Sequence, residues 1–238
     1  MSNILLKNIL LTLFILLIAI PISSFNDKHL ESISIRMEKR SLHKGRATVT
    51  IADIYFKPEN GSFIKNYIKP TGNVSITNPT GELIIFNKEC GTAYSEKAPD
   101  YNTEDNVFFF ILSEMVSSKD LKGLGFKVQN TSTKDDKTII RWLPPKFMKH
   151  LFSYTEIIYK DDLPFCASYY DENENIIVKT YFTDYESYPE ITIPLTITEF
   201  FYVNESDSII NRIKFNDIRV NDKSKNDYFD FSIPDDAM

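Results

Sequence analysis

The chain has 238 residues, of which 42% are hydrophobic and 25% charged, and its formal net charge is −6. That length can bury a substantial core, and the ordinary balance of apolar and charged residues argues against wholesale disorder. An acidic chain without a Lys/Arg-rich run is also a poor partner for nucleic acid.

The amino terminus reads as a targeting segment. Lys7 precedes an apolar run from Ile9 to Ala19 that ends in Ile20-Pro-Ile-Ser-Ser24, the n-, h- and c-region order of a secretory signal peptide. The run falls short of the ~20 apolar residues a spanning helix needs. Residues 1–24 are therefore expected to be removed on export, leaving one domain over 25–238.

Asn26 to Lys44 carries two patterns. Asp27 can cap a helix with Leu30, Ile33 and Met37 on one stripe, whereas Ile33, Ile35 and Met37 alternate as in a strand; the helix is the reading taken. Ala47–Phe56 is a predicted strand, turned by Pro58-Glu-Asn-Gly61 into the stretch Gly61–Tyr94. There, short β-rich runs are separated by Pro70-Thr-Gly72 and Asn78-Pro-Thr-Gly81. Proline presets φ and glycine supplies φ > 0, so these are tight turns. Short strands so linked must be antiparallel, because a parallel return needs a long crossover.

After Tyr94 the period changes. Asn102 or Thr103 can cap a helix with Glu104 and Asp105 in its first turn, continuing through Val107-Phe-Phe-Phe-Ile-Leu112 to Met115-Val116. Such an all-round apolar helix is either packed on both sides or faces an apolar ligand. Lys119–Gly125 can add a short helical turn. Strands are predicted at Phe126–Thr131, Lys137–Leu143, Tyr154–Lys160, Phe165–Tyr170, Ile176–Tyr185, Leu195–Val203 and Ile209–Val220, spaced as in a long antiparallel sheet. One face of Leu195–Val203 offers Leu195, Ile197, Phe201 and Val203, with Glu199 as its polar exception. Ile213 and Phe215 fall out of phase with Ile218 and Val220, which predicts a bulge near Asn216-Asp217. The ending Tyr228–Met238 reads as a short edge strand stopped by Pro234.

Catalytic and metal signatures do not emerge. His29, His43 and His150 are scattered, no Cys/His/Asp cluster has metal spacing, and the G-x-S-x-G, H-E-x-x-H and P-loop patterns are missing from the sequence. Asp135-Asp136, Asp161-Asp162 and Asp235-Asp236 fall in turns or at the terminus. Cys90 and Cys166 could form one disulfide in an oxidising compartment; two buried, unpaired thiols are the expected state. No enzyme activity, cofactor or metal is expected.

The order of elements, with Lys69-Pro70, Val74–Thr77, Asn78-Pro79, Leu83–Phe86 and Tyr94 in sequence, resembles the LolA family of outer-membrane lipoprotein carriers. The Asp171-Glu-Asn-Glu-Asn-Ile turn and Phe229-Asp-Phe-Ser-Ile-Pro234 look like that family's late hairpin and F-x-F-x-x-P ending. Lys69 stands where the family's best-known basic residue is arginine, and Lys88-Glu89 replaces its usual Asp-Gly turn. The resemblance implies a mainly β (α+β) fold: a curved antiparallel half-barrel sheet with helices covering the concave face. It implies a monomeric periplasmic carrier of acylated lipoproteins or another lipid, with an inner-membrane releasing complex and an outer-membrane acceptor as partners. Phe108, Leu112 and Met115 from the cover, and Trp142, Ile197 and Phe201 from the sheet, are the expected cavity lining, with Lys69 as the lid-interacting residue. A sensor or regulatory protein that binds acyl groups or protein partners on the same scaffold is the alternative.

Overall fold

The computed structural model describes residues 29–59, 61–77, 82–97, 120–123, 125–204, 206–224, 226–234 and 237. The expected signal peptide and the Val107–Val116 helix, with Phe108, Leu112 and Met115, lie outside the described residues.

Among the described residues thirteen strands form one antiparallel sheet. The first six are β1 (Ile33–His43), β2 (Arg46–Lys57), β3 (Ser62–Lys69), β4 (Asn73–Thr77), β5 (Glu82–Asn87) and β6 (Thr92–Lys97). A four-residue helical turn, α1 (Asp120–Gly123), precedes the second set. That set comprises β7 (Lys127–Lys134), β8 (Lys137–Leu143), β9 (Tyr154–Lys160), β10 (Leu163–Tyr170), β11 (Ile176–Ser187), β12 (Thr192–Asn204) and β13 (Asp207–Val220). The spatial order is β6-β5-β4-β3-β2-β1-β13-β12-β11-β10-β9-β8-β7, so the sheet curves without closing. Its edges are β6 and β7, while the first and last strands pair in its middle.

β1 corrects the helix expected over Asn26–Lys44. It pairs with β2 on one side and with β13 on the other. Its alternating Ile33, Ile35 and Met37 all point into the core, at 0–5% exposure; a helix would have turned Ile35 away from the other two. The entry to β1 is fixed from 190 residues away, where the Asn221 side-chain carbonyl accepts from the Glu31 amide at 2.8 Å. Its amide group donates to the His29 carbonyl at 3.0 Å, and the Asn221 N–H donates to the Ser32 carbonyl at 2.8 Å. Local periodicity is ambiguous here, and the pairing with β13 decides it.

The bulge expected near Asn216-Asp217 is present. Register between β1 and β13 shifts between Ser34↔Arg219 and Arg36↔Asn216, and Asp217 takes φ 49°. The turns at Asp135-Asp136 and Asp161-Asp162 are two-residue hairpin links with positive φ at both positions, the twist that joins antiparallel strands. Lys119–Gly125 contains the expected helical turn. The Lys88-Glu89 turn between β5 and β6 leans on the β3–β4 turn: the Lys88 N–H donates to the Gly72 carbonyl at 2.6 Å and its ammonium to Asn66 at 2.8 Å. Gly72 takes φ +102°, and a Cβ there would meet the Glu89 carboxylate at 3.1 Å, so the position calls for glycine on both counts.

The two faces of the sheet bury different cores. The inner face holds the larger one, running from Ile33, Ile35, Met37, Ile54 and Phe56 through Phe215, Ile213 and Ile197 to Phe182, Ile157 and Trp142. Leu30, Leu121, Phe126 and Phe152 from connecting segments join it. The outer face holds a small core of Tyr55, Ile64 and Val74, onto which Tyr228, Phe229 and Phe231 pack. The carboxy-terminal segment is thus not the expected edge strand. It makes a 3-10 turn at Asp227–Asp230, and Tyr228 stacks on Tyr55 at 5.3 Å while Phe231 meets Phe86 at 6.1 Å. Aromatic burial on the sheet's outer face takes the place of backbone pairing.

Candidate functional site

Side chains alternate along a strand, and facing residues on neighbouring strands line up in rows across the sheet. On the inner face one such row reads Met37 with Phe215 and Ala52, then Tyr67. The next is Phe182, Ile197, Ile213 and Lys39. Beside it runs Ile140, Ile157, Ala167, Thr180, Glu199, Asn211 and Ser41. This floor is apolar over most of its breadth, with buried Lys65 and Ser75 on β3 and β4, Thr155 on β9, and a polar island where β11, β12 and β13 meet.

Of the residues singled out in the sequence, Trp142 and Ile197 lie in the inner core at 4% and 1% exposure. Phe201 is half-buried on the same face of β12 as Ile197, opposite Val178 and Ile209. The three sheet residues therefore share one surface. Lys69 is exposed at the end of β3, before a cis bond to Pro70. Cys166 is buried in β10, but Cys90, expected to be buried, is exposed in the β5–β6 turn, and both thiols are free. Each sits among the neighbours of its own hairpin.

The polar island is what the sequence pattern flagged without explaining. Glu199 and Thr180 are both fully buried, at 0% exposure, and Asn211 is at 4%. The Asn211 amide donates to Glu199 Oε2 at 3.2 Å. Among the described residues, Glu199 Oε1, Asn211 Oδ1 and Thr180 Oγ1 have no hydrogen-bond partner, and neither does Trp142 Nε1 further along the floor. Burial pushes the Glu199 carboxyl above the ordinary carboxylate range, against smaller downward pulls from the Asn211 hydrogen bond and the charge of Lys39. Burial also raises the Tyr169 phenol, to which Glu199 adds. Both groups are thereby favoured in their neutral forms. Glu199 was legible as a polar residue interrupting an apolar strand face; Thr180 and Asn211 carried no signal, since only the register places them beside it.

Two other titratable clusters are paired, one around Glu156 on the outer face and one around Asp207 at the start of β13. Arg141 donates to Glu156 at 2.7 Å and lies over the Tyr154 ring, and Tyr170 donates to the other Glu156 oxygen at 3.2 Å. His43 and Lys44 both meet Asp207, at 3.3 and 3.2 Å, and the Lys44 hydrogen bond heads the causes that lower the Asp207 pKa. Among the described residues no group of His, Cys, Asp and Glu is placed to hold a metal ion, and no helix is long and apolar enough to cross a membrane.

No protein-family model matches the sequence. No curated protein matches it either. Solved structures do match the fold. A DUF1329 family protein from Desulfovibrio piger superposes with a TM-score of 0.62 at 13% identity, covering 85% of this chain and 91% of that one. A LolA superfamily protein from Nitrosomonas europaea gives 0.57 at 10% identity, with 84% and 92% covered. An outer membrane lipoprotein-sorting protein domain from Vibrio parahaemolyticus gives 0.59 at 10% identity, with 83% and 88% covered. The chain therefore has the fold of LolA superfamily and lipoprotein-sorting proteins.

Proposed function

We propose that this protein is a periplasmic carrier that holds acyl chains of lipoproteins, or of another lipid, against the inner face of its sheet and conveys them toward the outer membrane. The observation that supports this reading is the inner face itself: a broad apolar floor on a sheet with the fold of lipoprotein-sorting proteins. Transfer of hydrocarbon from water is favourable by about 0.8 kcal/mol per CH₂, so one long acyl chain supplies roughly 10 kcal/mol before the costs of binding. No catalytic group is required, and the proposal is of a non-enzyme.

In this reading the Val107–Val116 helix expected from the sequence covers the inner face. Phe108, Leu112 and Met115 then line the cavity with Trp142, Ile197 and Phe201. Lys69 serves as the contact for that cover, as a point charge on a flexible stem rather than the fixed fork of an arginine. The chain is exported after cleavage near Ser24, acts as a monomer, and exchanges cargo between an inner-membrane releasing complex and an outer-membrane acceptor.

Native mass spectrometry of the exported protein tests the proposal. Co-purifying acyl lipid or acylated protein, displaced by a fluorescent fatty acid, is the expected outcome. A bare protein mass together with no fatty-acid binding at micromolar concentrations would overturn it. Acyl binding without cargo transfer in a reconstituted assay would instead favour the sensor role.

A further inference from the structure

The inner floor is built to exclude water, yet three adjacent strands place polar side chains side by side in its middle. Thr180 faces Glu199 across β11 and β12, and Glu199 faces Asn211 across β12 and β13. Direct cross-strand neighbours have Cβ atoms about 5 Å apart, so the three form one short polar row. A single hydrogen bond, from the Asn211 amide to Glu199 Oε2, links them. One oxygen on each residue is left without a partner among the described residues. Buried polar atoms are nearly always paired, and those that are not call for an explanation. A carboxyl group at 0% exposure is the most demanding of them.

We propose that Glu199, Thr180 and Asn211 form a subsite for a neutral hydroxyl or secondary amide carried on an acyl chain. The inference rests on the carrier reading and adds a polar requirement to its apolar cargo. The chemistry of the open atoms selects the guest. Asn211 Oδ1 can only accept, so the guest must donate a hydrogen bond. The Thr180 hydroxyl can also donate, and so can Glu199 when protonated, the form its burial favours, so the guest must also accept. A carboxylate or phosphate fails the first condition and would face an amide oxygen. An ammonium group fails the second and would need Glu199 ionised in a dry site. Plain hydrocarbon would leave all three atoms unmet. A hydroxyl, or an amide with its N–H and C=O, satisfies both conditions. Lys39, in the neighbouring row, and Tyr169, whose ionisation Glu199 opposes, flank the island. They do not change this selection, because the guest is uncharged.

The test is competition against a fluorescent fatty acid on the full-length protein. The competitors are three kinds of sixteen-carbon acid: unsubstituted, hydroxylated at successive mid-chain positions, and interrupted by one secondary amide. At one position the hydroxyl or the amide is expected to improve binding roughly fivefold over the plain chain, although the same group makes the ligand more water-soluble. Which of the two does so identifies the source, a hydroxylated or an amide-linked acyl chain. Thr180→Val and Glu199→Leu are expected to abolish the preference of the substituted acids over the plain one. Equal or weaker binding of every substituted acid, with ratios unmoved by either substitution, overturns the subsite but leaves the carrier intact. Failure of all three kinds to displace the probe overturns both.

Discussion

Two carboxylates on the same sheet have opposite surroundings. Glu156, on the outer face, receives Arg141 on one oxygen and the Tyr170 hydroxyl on the other. Glu199, on the inner face, receives one amide and keeps an oxygen unpaired. The faces differ in the same way at larger scale. On the outer face the apolar patch over Tyr55, Ile64 and Val74 is sealed by the chain's own Tyr228, Phe229 and Phe231, and Lys57 meets Asp230 at 2.7 Å beside that seal. The outer face satisfies itself, whereas the inner face carries polar atoms that the described chain does not satisfy. That difference is what the carrier proposal builds on.

The comparison can be broken most forcefully by truncating each core. Phe182→Ala removes a ring at 2% exposure and is expected to lower unfolding free energy by about 3–5 kcal/mol in urea titrations. Phe231→Ala, on a half-buried ring of the outer seal, should cost less, about 1–2 kcal/mol, because its site is already partly wet. Equal losses would mean that the outer seal is as much a core as the inner floor.

The carboxylates sharpen the contrast at intermediate scale. Glu199→Leu should be neutral or stabilising by about 1–2 kcal/mol, since it removes a buried group with an open oxygen. Glu156→Leu should cost about 0.5–1 kcal/mol, a half-exposed pair being screened by solvent. The pH dependence carries the same information. Burial raises the Glu199 pKa above its ordinary 4.5, so the folded state holds a proton that the unfolded chain releases. As pH climbs from that value toward the raised one, the wild type should lose stability relative to Glu199→Gln, and below it the two should run parallel. Parallel curves throughout would show that Glu199 is solvated in solution.

The smallest effect concerns the hairpins that set the register on which both faces depend. Asp162 takes φ 61° in the β9–β10 turn, a conformation that glycine adopts without strain. Asp162→Gly is expected to raise the melting temperature slightly, by the equivalent of about 0.5 kcal/mol.

Much of the sheet was legible because its signals are local. Alternating residues in β8 and β9, the Asp-Asp hairpins and the phase slip at Asp217 each announce themselves within a few positions. β1 was misread as a helix because its own residues support both periods, and the evidence that decides between them lies on β13. The carboxy-terminal Phe229 and Phe231 were misread for a related reason: alternation fits a strand, but nothing local reveals that the outer face of β2–β5 has room for two rings. For the proposed site, Trp142, Ile197 and Phe201 were legible as apolar residues on strand faces, and Glu199 as an interruption. That it is sealed beside Thr180 and Asn211 was invisible.

The sequence by itself settled most of the tight turns and the strand runs between them, β1 and the carboxy-terminal segment excepted, since φ preferences and side-chain alternation act over two to four residues. The tertiary structure alone decided which strands meet, above all the pairing of the first with the last. That pairing sets which side of every strand faces inward, and so whether a glutamate interrupting an apolar run ends in water or in a dry floor.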